Sequence, residues 1–316
     1  MKFASISHLI DKNTRKIIPK EFFFEDMIIS PEIKVKGVSG HIIALNLTAK
    51  EIMDLPREKI RSKILDTILF AQDNLDIDLI QLGALTTSVT EGGKWFLSQS
   101  DYIGYLNHGD SYTAAITCQT VIKALNLFER DSSNETIAIV GAYGIIGEAV
   151  TKILLPQFSK SILIGRRKEK FKKLEKKLEG NYEITTDLKT KEADIIVTAT
   201  SHPTSLLNSN NLKRNVIVVD VSQPPNLSKE VCMTRSDVTR IDGGYVRFPL
   251  ESPIPIPGMP IGKNFACFAE VIMQALENER ENHIGSINLN HLQKTEKWGY
   301  KYGFSLEELT NFGESL

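Results

Sequence analysis

Cysteine is scarce in this chain. Three residues, Cys118, Cys232 and Cys267, occur among 316. They are too few and too scattered for a disulfide framework or a cysteine-rich zinc site, which points to a reducing cytoplasm. A strong charge of either sign is also missing. The formal net charge of −1 excludes a global attraction to nucleic acid or to an anionic bilayer. No apolar run approaches the ~20 residues of a transmembrane helix, so membrane contact, if any, is transient. The opening Met1-Lys2-Phe3-Ala4-Ser5-Ile6-Ser7-His8 has no long apolar core and no cleavage signature, and reads as a strand, not a leader. Internal repeats and low-complexity tracts are absent. What remains is an ordinary globular composition, 41% apolar and 24% charged, in a chain long enough for two domains or one large one.

The most informative stretch present is Ile137-Ala138-Ile139-Val140-Gly141-Ala142-Tyr143-Gly144-Ile145-Ile146-Gly147. An apolar strand ends in glycines spaced G-x-x-G-x-x-G, and helical spacing follows at Ala149, Val150, Ile153 and Leu154. Strand, tight turn and helix start together hold a dinucleotide pyrophosphate. The glycines admit the phosphates close to the backbone, and the helix N-terminus meets their charge.

A strand–helix rhythm continues from there. Strands are expected at 161–165, 182–184, 193–199, 216–220 and 238–242, with a helix over 168–178. The strand runs do not alternate, which implies a parallel sheet covered on both faces. The expected fold class is therefore α/β. A doubly wound parallel sheet, an NAD(P)-binding Rossmann domain, occupies 133–262, and an α/β substrate domain over 1–132 is completed by a C-terminal helical segment over 263–316. In that first part, strands are expected at 22–24, 41–45 and 79–83 and helices at 60–75 and 113–127. Residues 131–134 read as a polar hinge. A long amphipathic helix over 264–279 is expected to pack back on the N-terminal region.

The second strand of the parallel sheet ends in Gly165-Arg166-Arg167. An NAD site carries an acid here, for the ribose hydroxyls; arginine accommodates a 2′-phosphate and stacks on adenine. NADPH is the expected cofactor, contacted through Gly141, Tyr143, Gly144, Ile145, Ile146, Gly147, Arg166 and Arg167. Thr200 and Ser201, after the fourth strand, and Gly243 and Gly244, after the last, fall at the strand ends where the nicotinamide half binds. His202, before a proline, reads as a surface residue. The lysine-rich helix with Lys168, Lys170, Lys172, Lys173, Lys176 and Lys177 reads as a solvated helix with Phe171, Leu174 and Leu178 against the sheet.

Cys267 opens the last amphipathic helix, in Lys263-Asn264-Phe265-Ala266-Cys267-Phe268-Ala269-Glu270. A helix N-terminus lowers a thiol pKa, and a thiolate attacks thioesters. Composition alone favours a different reading, a cysteine buried among Phe and Ala. Cys118 and Cys232 read as structural. Glu270, one turn later, reads as a helix-surface carboxylate that could otherwise orient the thiol.

The chain resembles the cyanobacterial-type long-chain acyl-[acyl-carrier-protein] reductases nearly end to end. The matching stretches are 7–9, 82–88, 108–114, the glycine turn, 165–167, 220–227, 241–244 and, most specifically, Phe265-Ala266-Cys267-Phe268-Ala269-Glu270. The resemblance implies that Cys267 carries the acyl group as a thioester, that NADPH reduces it to an aldehyde, and that the acyl donor is an acyl carrier protein or coenzyme A thioester. It also implies a fold related to the shikimate dehydrogenase and glutamyl-tRNA reductase group. Ser111, Tyr112 and Thr113 are candidate oxyanion donors through their loop position, with Ser111 and Tyr112 taken as catalytic alongside Cys267. The chain departs from the family at Asp110-Ser111-Tyr112, where Asn-Thr-His is usual, and at Tyr143 and Ile145, where Thr and Asp are usual. The segment after Val246 is shorter, and His283-Ile284-Gly285-Ser286 replaces an aromatic-rich stretch. These departures leave the acyl group open. Phe22, Phe23, Phe24 and Phe70 line an apolar tunnel or are simple core. Two other readings stand beside this one: a shikimate- or amino-acid-type dehydrogenase without a covalent intermediate, and a non-catalytic NADPH-binding sensor.

Overall fold

The computed structural model describes residues 1–9, 12–99, 101–202, 204–249 and 260–316. Pro203 and residues 250–259, the latter within the shortened segment after Val246, lie outside the described residues. In chain order, β1 (Phe3–Leu9) and α1 (Thr14–Ile17) precede β2 (Phe23–Phe24), β3 (Met27–Ile29), β4 (Ile33–Val35) and β5 (Val38–Thr48). Then come α2 (Ala49–Asp54), α3 (Arg57–Leu75), β6 (Leu79–Leu82), α4 (Leu85–Val89), β7 (Tyr105–Asn107) and α5 (Asp110–Leu127). The next stretch carries β8 (Thr136–Val140), α6 (Ile145–Leu154), β9 (Lys160–Ile164), α7 (Phe171–Glu175), β10 (Tyr182–Thr185), β11 (Ile195–Thr198), β12 (Ile217–Asp220), α8 (Lys229–Thr234) and β13 (Thr239–Asp242). Helices α9 (Ala266–Leu276) and α10 (Leu289–Tyr302) follow.

The chain divides into two compact units: residues 1–112 with 247–305, and residues 113–246 with 306–316. The first is built on a mixed sheet with order β2-β3-β5-β1-β6-β7, β4 pairing with β5. Strand β1 runs parallel to β5 and β6, and β6 parallel to β7. The carboxyl ends of these central strands, at Leu9, Leu82 and Asn107, therefore lie along one end of the sheet. Helix α3 buries Ile60, Ile64, Ile68 and Ala71 against this sheet. That spacing forms a single stripe, and each large aliphatic side chain buried there contributes about 1.5–3 kcal/mol. The preceding helix α2 starts at a capping box, in which Thr48 and Glu51 satisfy one another's backbone N–H groups. Helix α9 packs on β1, β5 and β6, and its Ala266, Ala269, Val271, Ile272 and Met273 are fully buried. It begins at Ala266, because Lys263–Phe265 is a short strand. Of the phenylalanines considered for a tunnel, Phe24 lies against Phe70 with ring centroids 4.8 Å apart and is largely exposed.

The second unit is a six-stranded, all-parallel sheet with order β10-β9-β8-β11-β12-β13. The order reverses between β8 and β11, the switch point at which such sheets bind ligands. The inner strands are buried throughout, apart from the half-buried first residues of β8 and β9, which is why their sequences read as unbroken apolar runs. The lysine-rich segment is a shorter helix than its spacing predicts. A 3-10 turn over Lys168–Lys170 leads into α7, which buries Phe171 and Leu174 and leaves Leu178 half-buried. Residues 113–127 belong to this unit, with the Thr117 hydroxyl donating to the Gly243 carbonyl at 2.9 Å.

The C-terminal stretch is not helical to its end. Residues 310–315 form a small hairpin, tied to the parallel sheet through Asp242. That carboxylate accepts the Thr310 hydroxyl and the Gly313 N–H, both at 2.8 Å. It also accepts Arg240 at 2.7 Å, and Arg240 reaches Asp220 at 3.3 Å. Arg240 is buried between the two acids and over the Phe312 ring. A buried guanidinium needs this pairing on both sides.

Candidate active site

Two residues after Asn107 the chain turns sharply. Gly109 has φ +71, and a Cβ there would fall 2.5 Å from the Cys267 carbonyl oxygen and 2.6 Å from its Cα. The bare glycine thus lets the turn after β7 lie directly against the start of α9. Helix α5 begins at the next residue, Asp110. Ser111 and Tyr112 accordingly sit in a helical first turn, fully buried, and not in the loop expected for them.

Tyr112 is further committed. Its hydroxyl donates to the Phe304 carbonyl, and its backbone N–H donates to Glu270 Oε2 at 2.7 Å. A buried phenol finds a fixed acceptor, and this one removes Tyr112 from the set of free oxyanion donors. Ser111 stays beside the turn without a described role.

Cys267 is the second residue of α9 and keeps part of its surface open. Its thiol is pushed up to about 12, first by burial and then by the charges of Asp110 and Glu270. The N–H of Phe268 and the Gln81 amide pull the other way. The expected lowering by the helix end is outweighed, because two carboxyls and a dense surround oppose the thiolate. Gln81, at the carboxyl end of β6, is fully buried. Its Oε1 accepts the Ser5 hydroxyl, which fixes the amide, and its Nε2 has no conventional hydrogen-bond partner.

Glu270 is wholly buried, so it is not the surface carboxylate that helix spacing suggests. It accepts the Tyr112 N–H and lies 3.1 Å from His291 Nε2. Burial raises its pKa, but His291, His108 and the Tyr112 N–H outweigh that, and it stays charged below the usual carboxylate range. Asp110 is pushed the opposite way, well above that range, by burial and then by the Glu270 charge. His108 Nδ1 accepts the Asp110 N–H at 3.0 Å. Burial holds this imidazole neutral, down to about 4, against the Glu270 charge that raises it. Asn107 supports the turn, accepting the Gly109 N–H at 2.5 Å and donating to Gln274 of α9 at 2.7 Å. Asp110 and Glu270 both act electrostatically on the Cys267 thiol, and their surroundings drive their proton affinities apart. None of this cluster except Cys267 and Glu270 was distinguishable by local spacing.

The second unit carries the glycine turn. Gly141 has φ +92, and a Cβ there would fall 2.3 Å from the Ala199 carbonyl oxygen; one at Gly147 would fall 2.1 Å from the Gly141 oxygen. Helix α6 starts at Ile145 with no side chain capping its first N–H groups. Such a turn offers Ile145, Ile146 and Gly147 N–H donors to an anion. Tyr143 lies edge-on to Phe171 at 5.0 Å, and its hydroxyl accepts the Arg167 N–H at 3.2 Å. Arg166 and Arg167 are exposed, and no carboxylate pairs with either among the described residues. The Thr200 hydroxyl donates to Asn226 Oδ1 at 2.8 Å, and the Asn226 Nδ2 is buried without a partner. Ser201 is exposed. Gly243 is filled in by Val221, whereas a Cβ at Gly244 would meet nothing closer than 3.5 Å. His202 is half-buried, its Nδ1 against the Thr204 carbonyl at 2.9 Å. These residues fit a dinucleotide.

Residues 123–243 match the family described as Shikimate / quinate 5-dehydrogenase. The chain is 26% identical over 258 residues to the long-chain acyl-[acyl-carrier-protein] reductase of Synechococcus elongatus, across 77% of this chain and 75% of that protein. It is 24% identical over 252 residues to the aminotransferase PigE of a Serratia species, across 76% of this chain but only 29% of that longer protein. Among solved structures, the nucleotide-binding domain of glutamyl-tRNA reductase from Thermoplasma volcanium is similar over 40% of this chain and 84% of that one, with 23% identity and a TM-score of 0.30. No helix among the described residues is long and apolar enough to cross a membrane. The family match over the parallel sheet, with its glycine turn, marks the chain as an NAD(P)-dependent oxidoreductase with a shikimate dehydrogenase-like cofactor domain.

Proposed function

We propose that this protein is an NADPH-dependent acyl-thioester reductase, in which Cys267 takes an acyl group from a carrier-protein or coenzyme A thioester and releases it as an aldehyde. The observation that carries the reading is the setting of Cys267. A half-buried cysteine stands at a helix start, backed by the Gln81 amide and by a carboxyl, Asp110, whose proton affinity is raised. The 26% identity to a long-chain acyl-[acyl-carrier-protein] reductase supports it.

With its proton affinity raised this far by burial and by the two carboxyls, the thiol supplies almost no standing thiolate at neutral pH. The proton must therefore leave as the sulfur attacks. Asp110 accepts it while the bond forms between the Cys267 sulfur and the acyl carbon. The bond from that carbon to the donor sulfur then breaks, and the departing thiolate takes the proton from Asp110. Gln81 Nε2, held by Ser5, donates to the carbonyl oxygen as it gains charge. Glu270 keeps Asp110 basic, and His108 and the Tyr112 N–H hold the turn in place.

NADPH is the cofactor this reading requires, held by the glycine turn, by Arg166 and Arg167 at the 2′-phosphate, and by Thr200, Ser201 and Gly244 at the nicotinamide end. When bound, it supplies the hydride. Release of the aldehyde would break the bond between carbon and the Cys267 sulfur; having given its first proton to the departing thiolate, Asp110 takes a second from solvent and returns it to the Cys267 sulfur.

The test is intact-protein mass after mixing with a panel of acyl thioesters in the absence of NADPH. An increase equal to the acyl group, absent in Cys267→Ala and discharged by NADPH, is the expected result. No adduct across the panel, with NADPH still bound tightly, overturns it.

A further inference from the structure

Beyond the contacts of the thiol lies a cluster that the reaction above does not use. Glu279, in the turn after α9, His283, in the segment beside β7, and His291, in α10, each bury one ligand-type atom without a hydrogen-bond partner: Glu279 Oε2, His283 Nε2 and His291 Nδ1. These three atoms lie within 4.8 Å of one another. The side chains are 10%, 11% and 7% exposed. Buried polar atoms are almost always paired, so three orphans converging on one point call for a shared partner.

We propose that Glu279, His283 and His291 bind one divalent transition-metal ion of the zinc type, with water completing a four-coordinate site. Two imidazoles and one carboxylate, with a fourth position open, form a common zinc donor set, and nitrogen donors disfavour calcium and magnesium. The outer contacts fit. His291 turns its other nitrogen, Nε2, to Glu270 Oε1 at 3.1 Å. A metal on Nδ1 fixes the proton on Nε2 and makes this a carboxylate–histidine–metal chain. The other oxygen of Glu279 is held by Lys294. The His283 backbone is pinned by its N–H to the Leu106 carbonyl at 2.8 Å and by its carbonyl to the His108 N–H at 3.1 Å.

The cluster does not explain itself without an ion. His283 Nε2 and Glu279 Oε2 are 3.4 Å apart, beyond ordinary hydrogen-bond length. The two imidazoles stack nearly parallel, with centroids 3.4 Å apart and planes 6° apart. Zinc with bonds of about 2.0–2.1 Å brings its donors to roughly 3.4 Å from each other. A tilt of one ring and a shift on the order of 1 Å, by that same geometry, closes the site. The ion then clamps the turn after α9 to β7 and, through His291, steadies Glu270.

The test uses the full chain, stripped with a chelator and titrated with zinc against a chromophoric zinc indicator. Cobalt substitution reports four-coordinate geometry through its visible absorption. One equivalent is expected in the wild-type protein and in Cys267→Ser, which removes the competing thiol. His283→Gln and Glu279→Gln are each expected to weaken binding by more than about 100-fold, beyond the 10–100-fold typical of losing an outer partner. Zinc is expected to raise the thermal midpoint of wild type and Cys267→Ser but of neither ligand variant, with circular dichroism confirming that each variant is folded. Loss of the equivalent in Cys267→Ser, its survival in both ligand variants, or no stoichiometric binding at all would overturn the proposal. None of these readouts depends on acyl transfer.

Discussion

Replacing Gly109 by alanine probes the approach of the turn after β7 to the start of α9. Two penalties add at this position. The backbone is left-handed, with φ +71, which costs a residue with a Cβ about 1–2 kcal/mol. The new Cβ also falls 2.5–2.6 Å from the Cys267 oxygen, Cα and Cβ. Relieving it means moving main chain, an overpacking cost of about 1–3 kcal/mol. The sum is about 2–5 kcal/mol. Gly37 supplies the control. It too is left-handed, with φ +94, but nothing lies within 4 Å of its Cβ position, so Gly37→Ala bears only the first penalty. The assay pairs urea unfolding with the rate of Cys267 acylation. Gly109→Ala is expected to lose about 2–5 kcal/mol, and a main-chain shift worth even 1.4 kcal/mol at the nucleophile slows acylation about tenfold. Gly37→Ala is expected to lose about 1–2 kcal/mol and to acylate at the wild-type rate. Equal stability losses in the two variants, or wild-type acylation in Gly109→Ala, would refute the reasoning.

Acid should weaken the fold through His108. Unfolded, this imidazole binds a proton near pH 6.5; folded, burial delays that to about 4. Its stabilisation is complete above pH 6.5 and lost as pH falls toward 4, a difference of about 3 kcal/mol. Asp110, with its raised proton affinity, titrates with the opposite sign, so the quantity to measure is the unfolding free energy of wild type minus that of His108→Asn from pH 7 to 4. Asparagine keeps an acceptor for the Asp110 N–H, and a difference independent of pH would contradict the assignment. For the cofactor, loss of a charge-assisted phosphate contact is worth about 1.5–3 kcal/mol. Arg166→Ala is therefore expected to weaken NADPH about 10- to 100-fold by fluorescence titration and to leave NADH unchanged; equal losses for both would count against a 2′-phosphate contact.

The parallel sheet was legible because strands buried on both faces must be apolar throughout, as in Ile195–Thr198 and Ile217–Asp220. Helix α3 was legible from its Ile60, Ile64, Ile68 stripe. The start of α5 was not: Asp110-Ser111-Tyr112 has the composition of a loop, and only the left-handed turn at Gly109 sets the helix going there. The thiol's raised pKa is not legible in the sequence, because the helix-end effect is local, whereas the burial that dominates and the opposing carboxyl of Asp110 arise only when distant parts of the chain pack together. Gln81, His108, Asp110, His283 and His291 meet only in three dimensions, so no spacing announces them. The closing hairpin at 310–315 was missed for the same reason, since its anchor is Asp242.

The interleaving of the two units bears on how the chain is made. Residues 1–112 leave the ribosome long before α9, whose Ala266, Ala269, Ile272 and Met273 cover the β1–β6 face. At about 5–20 residues per second, translation of the intervening stretch takes on the order of ten seconds or more. Through that interval the first unit presents an open apolar sheet, while residues 113–246 emerge in one piece and lack only the closing hairpin that pairs with Asp242. The nascent N-terminal half is thus the part of this protein that most needs a chaperone, and the thiol site is the last part of the first sheet to be completed.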